Sequence, residues 1–258
     1  MLIKTEKTDI IMNFLKQELL LNQNIIGIIE NVPEAVIYVD NSDSPKGVLV
    51  EKGYFRYIYS RDDGFIDYVL DNYFKEGYYG FSGTDKAIAA RIKARYELDW
   101  ENPCTLYYMP AENLNRGLIK SKVSSVDIKD AQTIDYFYQF RNRWSLEAIK
   151  KDIKLRPSSA VYIDDDIACW VLVHDDNSMG IMYTKDEYRR KGYAVDVTID
   201  LASKIIEQGK IPYLQIVEGN SMSPGLAHKC GFLRCGEVTW FGIKVGNPKE
   251  TDEDEEDE

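Results

Sequence analysis

The stretch Arg189-Arg190-Lys191-Gly192-Tyr193-Ala194 decides how this chain is read. Three cations precede a glycine, and the apolar residues that follow recur at helical spacing. Val195, Ile199, Ala202 and Ile205/Ile206 fall close to one every ~3.6 residues, which predicts a helix over Gly192 to Gln208. A helix start presents unpaired amide N–H groups and a partial positive charge, so it suits a pyrophosphate. Gly192 lets the backbone approach a phosphate with no side chain in the way, Ala194 keeps the next turn small, and Arg189, Arg190 and Lys191 concentrate positive charge there. Alone, Arg-x-x-Gly-x-Ala also describes ordinary surface turns. Its context sharpens it: a predicted strand over Met179 to Thr184 leads into the turn, and another over Pro212 to Val217 follows the helix.

Working outward, the same order of elements occurs twice. Asp9 to Leu21 reads as a helix, followed by a helical or irregular stretch to Glu30. Ala35 to Asp40, Gly47 to Lys52 and Tyr54 to Ser60 read as strands, punctuated by Asp43-Ser44-Pro45 and Gly53. A helix over Asp62 to Phe74, a strand at Tyr78 to Phe81, a helix from Thr84 to Arg95 and a strand at Thr105 to Met109 complete the first half. Ala111 to Lys120, with Asn113, Asn115 and Gly117, reads as a linker. The second half then predicts a strand at Lys122 to Ile128, helices at Asp130 to Phe140 and Ser145 to Lys154 (Ser145 as N-cap), and a hairpin of Ser159 to Asp164 with Ile167 to His174. After the strand–turn–helix come a short helix to about Cys230 and strands over Phe232 to Val245. Strands interrupted by helices imply an α/β fold with a mixed sheet, because the hairpin must be antiparallel.

Composition bounds the function. With 258 residues, 44% hydrophobic and 12% aromatic, one large or two modest globular domains are expected. The 18 tyrosines suit half-buried strand positions. Glu250 and the run Asp252 to Glu258 supply eight acidic groups against Lys249, so the formal charge of −11 becomes −4 without them. Such a run reads as a solvated, disordered tail, and with no extended basic face neither nucleic acid nor an anionic membrane is an expected partner. Cys104, Cys169, Cys230 and Cys235 show no CxxC spacing, and only His174 and His228 could help them, so reduced thiols and no metal site are expected. No stretch reads as a membrane span or secretory leader, which leaves a cytoplasmic protein, monomeric or homodimeric, as the expectation.

Met179 to Phe232 resembles the cofactor-binding core of the GNAT superfamily, the GCN5-related N-acetyltransferases. The family's Arg/Gln-x-x-Gly-x-Gly/Ala turn is matched by Arg189, Gly192 and Ala194. The loop Tyr183-Thr184-Lys185-Asp186-Glu187-Tyr188-Arg189, with Cys169-Trp170 upstream, is similar to the glycine N-acyltransferase-like branch, which pairs a degenerate N-terminal half with a catalytic C-terminal half. The close resemblance covers Lys122 to Val245; for the first half it rests on element order. It implies a tandem GNAT-like acyl-CoA N-acyltransferase fold: a degenerate domain over 1–120, an acetyltransferase domain over 121–246 and an acidic disordered tail over 247–258. The implied activity moves acetyl from acetyl-CoA to the amine of a small molecule lying in the cleft between the halves. By position, Ile181, Met182 and Tyr183 would offer backbone groups to the pantetheine and thioester. The amides of Arg190, Lys191, Gly192, Tyr193 and Ala194 would hold the pyrophosphate, Asn220 would contact the pantetheine, and Ser223 would reach toward the phosphates.

The implied chemistry needs a neutral amine, since an alkylammonium with pKa near ~10 cannot attack, and donors for the developing oxyanion. At both of the family's usual acid–base positions this chain differs: the strand carboxylate falls on Ser178 and the tyrosine falls on Ala227. The candidate substitutes are His174 as base, directly or through water, and His228 in place of the tyrosine. Asp175 and Asp176 read as a solvated hairpin turn, with Glu218 nearby in sequence, and Cys230 as a packing residue rather than a nucleophile. Two functional classes stay open, an N-acyltransferase and a non-catalytic acyl-CoA-binding module that kept the cradle.

Overall fold

The computed structural model describes residues 1–248. The described residues divide into two units, the first holding residues 1–105 and 236–248, the second residues 106–235. In chain order the first unit carries β1 (Ile3–Thr5), α1 (Asp9–Lys16), α2 (Leu19–Asn31), β2 (Val36–Val39), β3 (Gly47–Lys52), β4 (Phe55–Ser60), α3 (Asp63–Asn72), β5 (Gly77–Asp85), α4 (Lys86–Arg95) and most of β6 (Glu97–Tyr108). The second carries α5 (Ala131–Tyr136), α6 (Ser145–Leu155), β7 (Ser158–Ile163), β8 (Asp166–Val173), β9 (Met179–Thr184), α7 (Tyr193–Glu207), β10 (Tyr213–Val217) and α8 (Ser223–Lys229). β11 (Leu233–Val245) begins in the second unit and ends in the first. From α1 to β6 and from α5 to β11 the order of elements is the same, as the repeated sequence grammar predicts.

In the first unit the strand order is β1-β2-β3-β4-β5-β11-β6. β1 to β4 are antiparallel neighbours, and β4 joins β5 in parallel through Phe55↔Gly80 and Arg56↔Phe81. Helices cover both faces. Ile11, Leu15, Ile25 and Ile28 of α1 and α2 pack with Val39, Val48 and Val50. Phe65, Val69, Ile88 and Ile92 of α3 and α4 pack with Leu49, Phe81 and Phe241. α1 starts at Thr8, whose hydroxyl accepts from the Ile11 amide, and α4 at Asp85, whose carboxylate accepts from Ala87 and Ile88.

The second unit repeats the layering with β7, β8 and β9 as an antiparallel sheet. On one face α7 and α8 set Val197, Ile199, Leu201 and Ala227 against Val171, Val173 and Met179. On the other, α5 and α6 set Ile134 and Ile149 against Trp170 and Leu172.

Several sequence expectations change. The division does not fall at 120 or 246, because residues 106–120 are built into the second unit. The Met109 amide donates to the Pro212 carbonyl (2.9 Å), and Asn113 Nδ2 donates to the Gly231 carbonyl (2.9 Å). Leu114, Leu118 and Ile119 pack on the core that α7 faces, so the expected linker is a packed segment with 3-10 turns at Ala111–Asn113 and Arg116–Leu118. Lys122 to Ile128 is not a strand; Ser124 forms a lone bridge to Ala160. Ser145 is the first residue of α6 rather than its cap, since its hydroxyl turns back to the Asn142 carbonyl and Asp135. The expected tail at 247–258 lies almost wholly outside the described residues.

Candidate active site

The two units differ where a strand leads into a helix. α3 has an acidic start: Asp62 caps it, its carboxylate accepting from the Gly64 amide (2.9 Å), and Asp63 follows. The amide a phosphate would need is taken, and two carboxylates repel an anion. α7 has no side-chain cap, and its N-cap is Gly192 at φ +91°. Arg190 at φ +63° and Gly192 fold the turn back on itself. Among the described residues, the amides of Arg190, Lys191 and Gly192 donate to no protein acceptor, and Tyr193 and Ala194 sit in the first turn, where helical amides lack partners. A side chain at 192 would meet nothing within 4 Å, so glycine is required there by its backbone angle and leaves open space above the amides.

The cations around this turn are not equivalent. Arg189 is tied back, with Nε donating to the Thr184 carbonyl (3.2 Å) and Nη2 paired with Asp186 (2.8 Å). It also lies over the Tyr183 ring at 5.5 Å. Its role is to hold the turn. Arg190 and Lys191 are exposed, Lys191 with its ammonium over the Tyr188 ring.

β9 and β10 belong to different sheets, and a cavity of about 500 Å³ opens between them. Val171, Met179, Met182, Leu226 and Ala227 give it an apolar wall toward α7 and α8, with Thr198 beside them. Ile181, Asn220 and Ser223 also line it, while Tyr183 and Arg189 to Ala194 lie outside the lining. Tyr183 is packed as a side chain, stacked on Phe137 at 4.7 Å. Asn220 Oδ1 accepts from the amides of Met222 and Ser223 at the start of α8, leaving its Nδ2 without a protein acceptor among the described residues.

The wall strand β9 is irregular. Gly180 pairs with Leu172 and Tyr183 with Trp170, so Ile181 and Met182 together face Val171. Ile181 sits at φ +50°, an outlier for a β-branched residue. The bulge takes its backbone out of the regular ladder beside the cavity.

The hairpin at the head of β9 holds the titratable groups. His174 Nδ1 lies 3.1 Å from Asp152 Oδ2, and Asp152, buried on α6, is also paired with Arg156. The opposite edge of the ring lies against Gly180, where an added Cβ would stand 2.5 Å from Nε2. Gly180 lines the cavity, while His174, packed against that glycine, lies outside the lining. Burial alone would push the His174 pKa down, but the hydrogen bond to Asp152 and the Asp176 and Asp175 carboxylates hold it above the ordinary imidazole value.

Asp176 is not in a solvated turn: it is 3% exposed, and burial pushes its carboxyl pKa up against the pull of His174. Its Oδ1 accepts from the Ser178 amide (2.8 Å) and hydroxyl (2.6 Å). Ser178 is therefore buried and engaged, outside the cavity lining. His228 is exposed on α8, edge-on to Tyr107 at 5.7 Å, and also outside the lining. Cys230 is buried and its thiol is pushed up to about 11 by desolvation, which removes it as a nucleophile. Asp152 and Gly180 have no motif to announce them, and their placement beside His174 is a tertiary fact. Among the described residues no His, Cys, Asp and Glu group could hold a metal ion, and no helix is long and apolar enough to cross a membrane.

Residues 164–241 match the family model described as FR47-like protein. No curated protein matches the sequence. Among solved structures, a Drosophila protein shares the fold over 95% of this chain and 99% of its own, with a TM-score of 0.76 at 13% identity. A GCN5-related N-acetyltransferase from Sphaerobacter thermophilus does so at TM-score 0.59 and 11% identity, over 96% of this chain and 98% of that one. A tandem GNAT protein from the clavulanic acid biosynthesis pathway does so at 0.56 and 9%, over 96% and 99%. The chain has a mixed α/β GNAT fold in tandem form, as its cradle sequence and repeated grammar predict.

Proposed function

We propose that the protein is an acyl-CoA-dependent N-acyltransferase, most simply one that moves acetyl from acetyl-CoA to the amine of a small molecule in the cytoplasm. The observation that carries this reading is the uncapped, glycine-started α7 with its basic turn, set beside a cavity walled by a bulged strand. The donor set fits a CoA pyrophosphate: adjacent amides without acceptors, a helix dipole, and two exposed cations on a chain of charge −11. Acetyl-CoA would supply the activated acyl group as thioester.

The remaining chemistry falls to this chain's own residues. The Asn220 Nδ2 and the backbone of Ile181 and Met182 offer donors inside the cavity. His174 Nε2 accepts the proton that the amine loses as its nitrogen bonds to the thioester carbon. The C–S bond breaks, the thiolate takes a proton from water, and the imidazolium returns its proton to water. Amide and free CoA thiol are the products. The positioning of two substrates in one cavity supplies much of the rate, which suits a site where Ala227 stands at the usual tyrosine position.

The test is release of free thiol from acetyl-CoA over a panel of small amines. Gly192→Glu puts a carboxylate and a disfavoured backbone angle at the cradle, and CoA affinity is expected to fall at least ~10-fold, read by calorimetry. CoA binding that survives the substitution would refute the cradle. Ala227, buried in the cavity wall with no hydroxyl to give, favours a second reading as an acyl-CoA-binding module. Tight CoA binding without thiol release on any amine would establish it.

A further inference from the structure

We propose that Asp152 is a positioning residue for catalysis, holding His174 as the Nδ1–H tautomer so that the Nε2 lone pair faces the gap at Gly180. The inference rests on the acyltransferase reading and adds a residue to it. Three observations converge. Asp152 Oδ2 is 3.1 Å from Nδ1, and as a carboxylate it can only accept, which places the ring proton on Nδ1. Arg156 anchors the same carboxylate from the end of α6, and its Nε donates to the Val173 carbonyl (3.1 Å), one residue before His174. Nε2 has no protein partner among the described residues, and the strand opposite it carries no side chain. A merely structural ion pair of Asp152 with Arg156 would not require an imidazole on the carboxylate's second oxygen or a glycine on the cavity wall.

The groups around the imidazole are consistent with this use. α6 and its end contribute Asp152 and Arg156. The turn contributes Asp175 and Asp176, whose main-chain carbonyl accepts from the Tyr213 hydroxyl (2.5 Å). The α5–α6 connection contributes Tyr138, a phenol pushed up to about 12 by burial and then by Asp152 and Asp176, so it stays neutral. Lys210 Nζ donates to Asn177 Oδ1 of the same turn, at 3.0 Å. Asp152, Asp176 and Asp175 all favour the charged ring, so an imidazolium formed on taking the amine's proton would be stabilised where it forms.

The direct test is nitrogen-15 NMR of the wild-type protein, in which there are only two histidines to assign. Above its pKa, His174 is expected to carry its proton on Nδ1; a proton on Nε2 would overturn the proposal with no variant needed. In Asp152→Asn the His174 pKa should fall, the acid limb of kcat/KM should move down with it, and kcat should drop roughly 10- to 100-fold with KM for acyl-CoA within about 2-fold. Asp152→Glu, which keeps the carboxylate and so the partner of Arg156, should restore the pKa and part of kcat. A lowered His174 pKa with an unmoved pH profile would defeat the positioning role while leaving acyl transfer standing. A wild-type protein that binds CoA and releases no thiol would instead defeat the acyltransferase reading, and the tautomer alone would decide whether Asp152 governs the ring.

Discussion

Gly180 is the cavity-lining residue against which the proposed base packs, and substituting it is the sharpest test at the scale of one residue. A methyl group there would lie 2.5 Å from His174 Nε2 and 2.7 Å from Cδ2, closer than any real contact, so Gly180→Ala must push the ring away. Turnover is expected to fall about 10- to 100-fold, because small displacements of a reacting group are costly. CoA affinity should hold, since the cradle amides lie elsewhere. Steady-state thiol release beside calorimetry separates the two, and a fully active Gly180→Ala protein would put the imidazole off the reaction path. The pH dependence follows from the same pair. With its pKa held above 6.5, His174 is a free base only above that raised value, so the acid limb of kcat/KM should have its midpoint above 6.5. The sign for stability is the opposite of a depressed carboxylate. A group whose folded pKa is raised stabilises fully below its unfolded value and loses that contribution as pH rises through the folded one. The destabilisation caused by His174→Asn should therefore shrink as pH rises from the ordinary imidazole value through the raised folded one, as read by denaturant melts. Of these residues the sequence makes His174 visible as a candidate. It hides Asp152 and shows Asp176 as solvated, because burial of a carboxylate depends on which helix packs over the hairpin.

At the scale of elements, one strand–helix junction is open to a phosphate and its counterpart is closed. Both halves build a helix after their third hairpin strand, yet α3 spends its first amides on Asp62, whereas α7 begins at an uncapped glycine. A single CoA site per chain is the expected stoichiometry by calorimetry. Asp62→Ala should cost about 1 kcal/mol in stability and leave CoA affinity unchanged, because α3 still lacks a left-handed glycine at its N-cap and keeps the acidic Asp63 in its first turn. A second CoA equivalent, or a loss of affinity in that variant, would assign α3 a role that its acidic start argues against. This contrast is legible in the sequence, where Arg-x-x-Gly-x-Ala occurs only in the second half. The regular elements are legible too: Met179 to Thr184 is the strand expected, and the helix after Gly192 ends at Glu207, one residue before the predicted end. The bulge is not legible. Ile181 reads as an ordinary strand residue, and its positive φ is imposed by the two-against-one register with Val171.

At the scale of the molecule, chain order and unit order part company. Ala111 to Lys120 reads as a linker because Pro110, Asn113, Asn115 and Gly117 are turn residues, and local chemistry cannot show that Leu114, Leu118 and Ile119 pack half-buried on the core. The consequence concerns where the second unit can be cut. A fragment spanning residues 121–246, the domain that the sequence suggests, would lack the Met109 amide that bonds Pro212, the Asn113 side chain on Gly231, and Arg116, whose Nε bonds Ser203 on α7 at 2.7 Å. It would also expose the α7-facing core that those leucines cover. Residual helix without a cooperative melt, and strong binding of a hydrophobic dye, are the expected outcome for 121–246. Restoring residues 106–120 replaces every one of these contacts, so the fragment 106–246 should regain a cooperative transition by circular dichroism and, with it, the CoA site. If 121–246 melts cooperatively and binds CoA alone, the packed segment is dispensable, and the second unit ends where the sequence, rather than the structure, places its boundary.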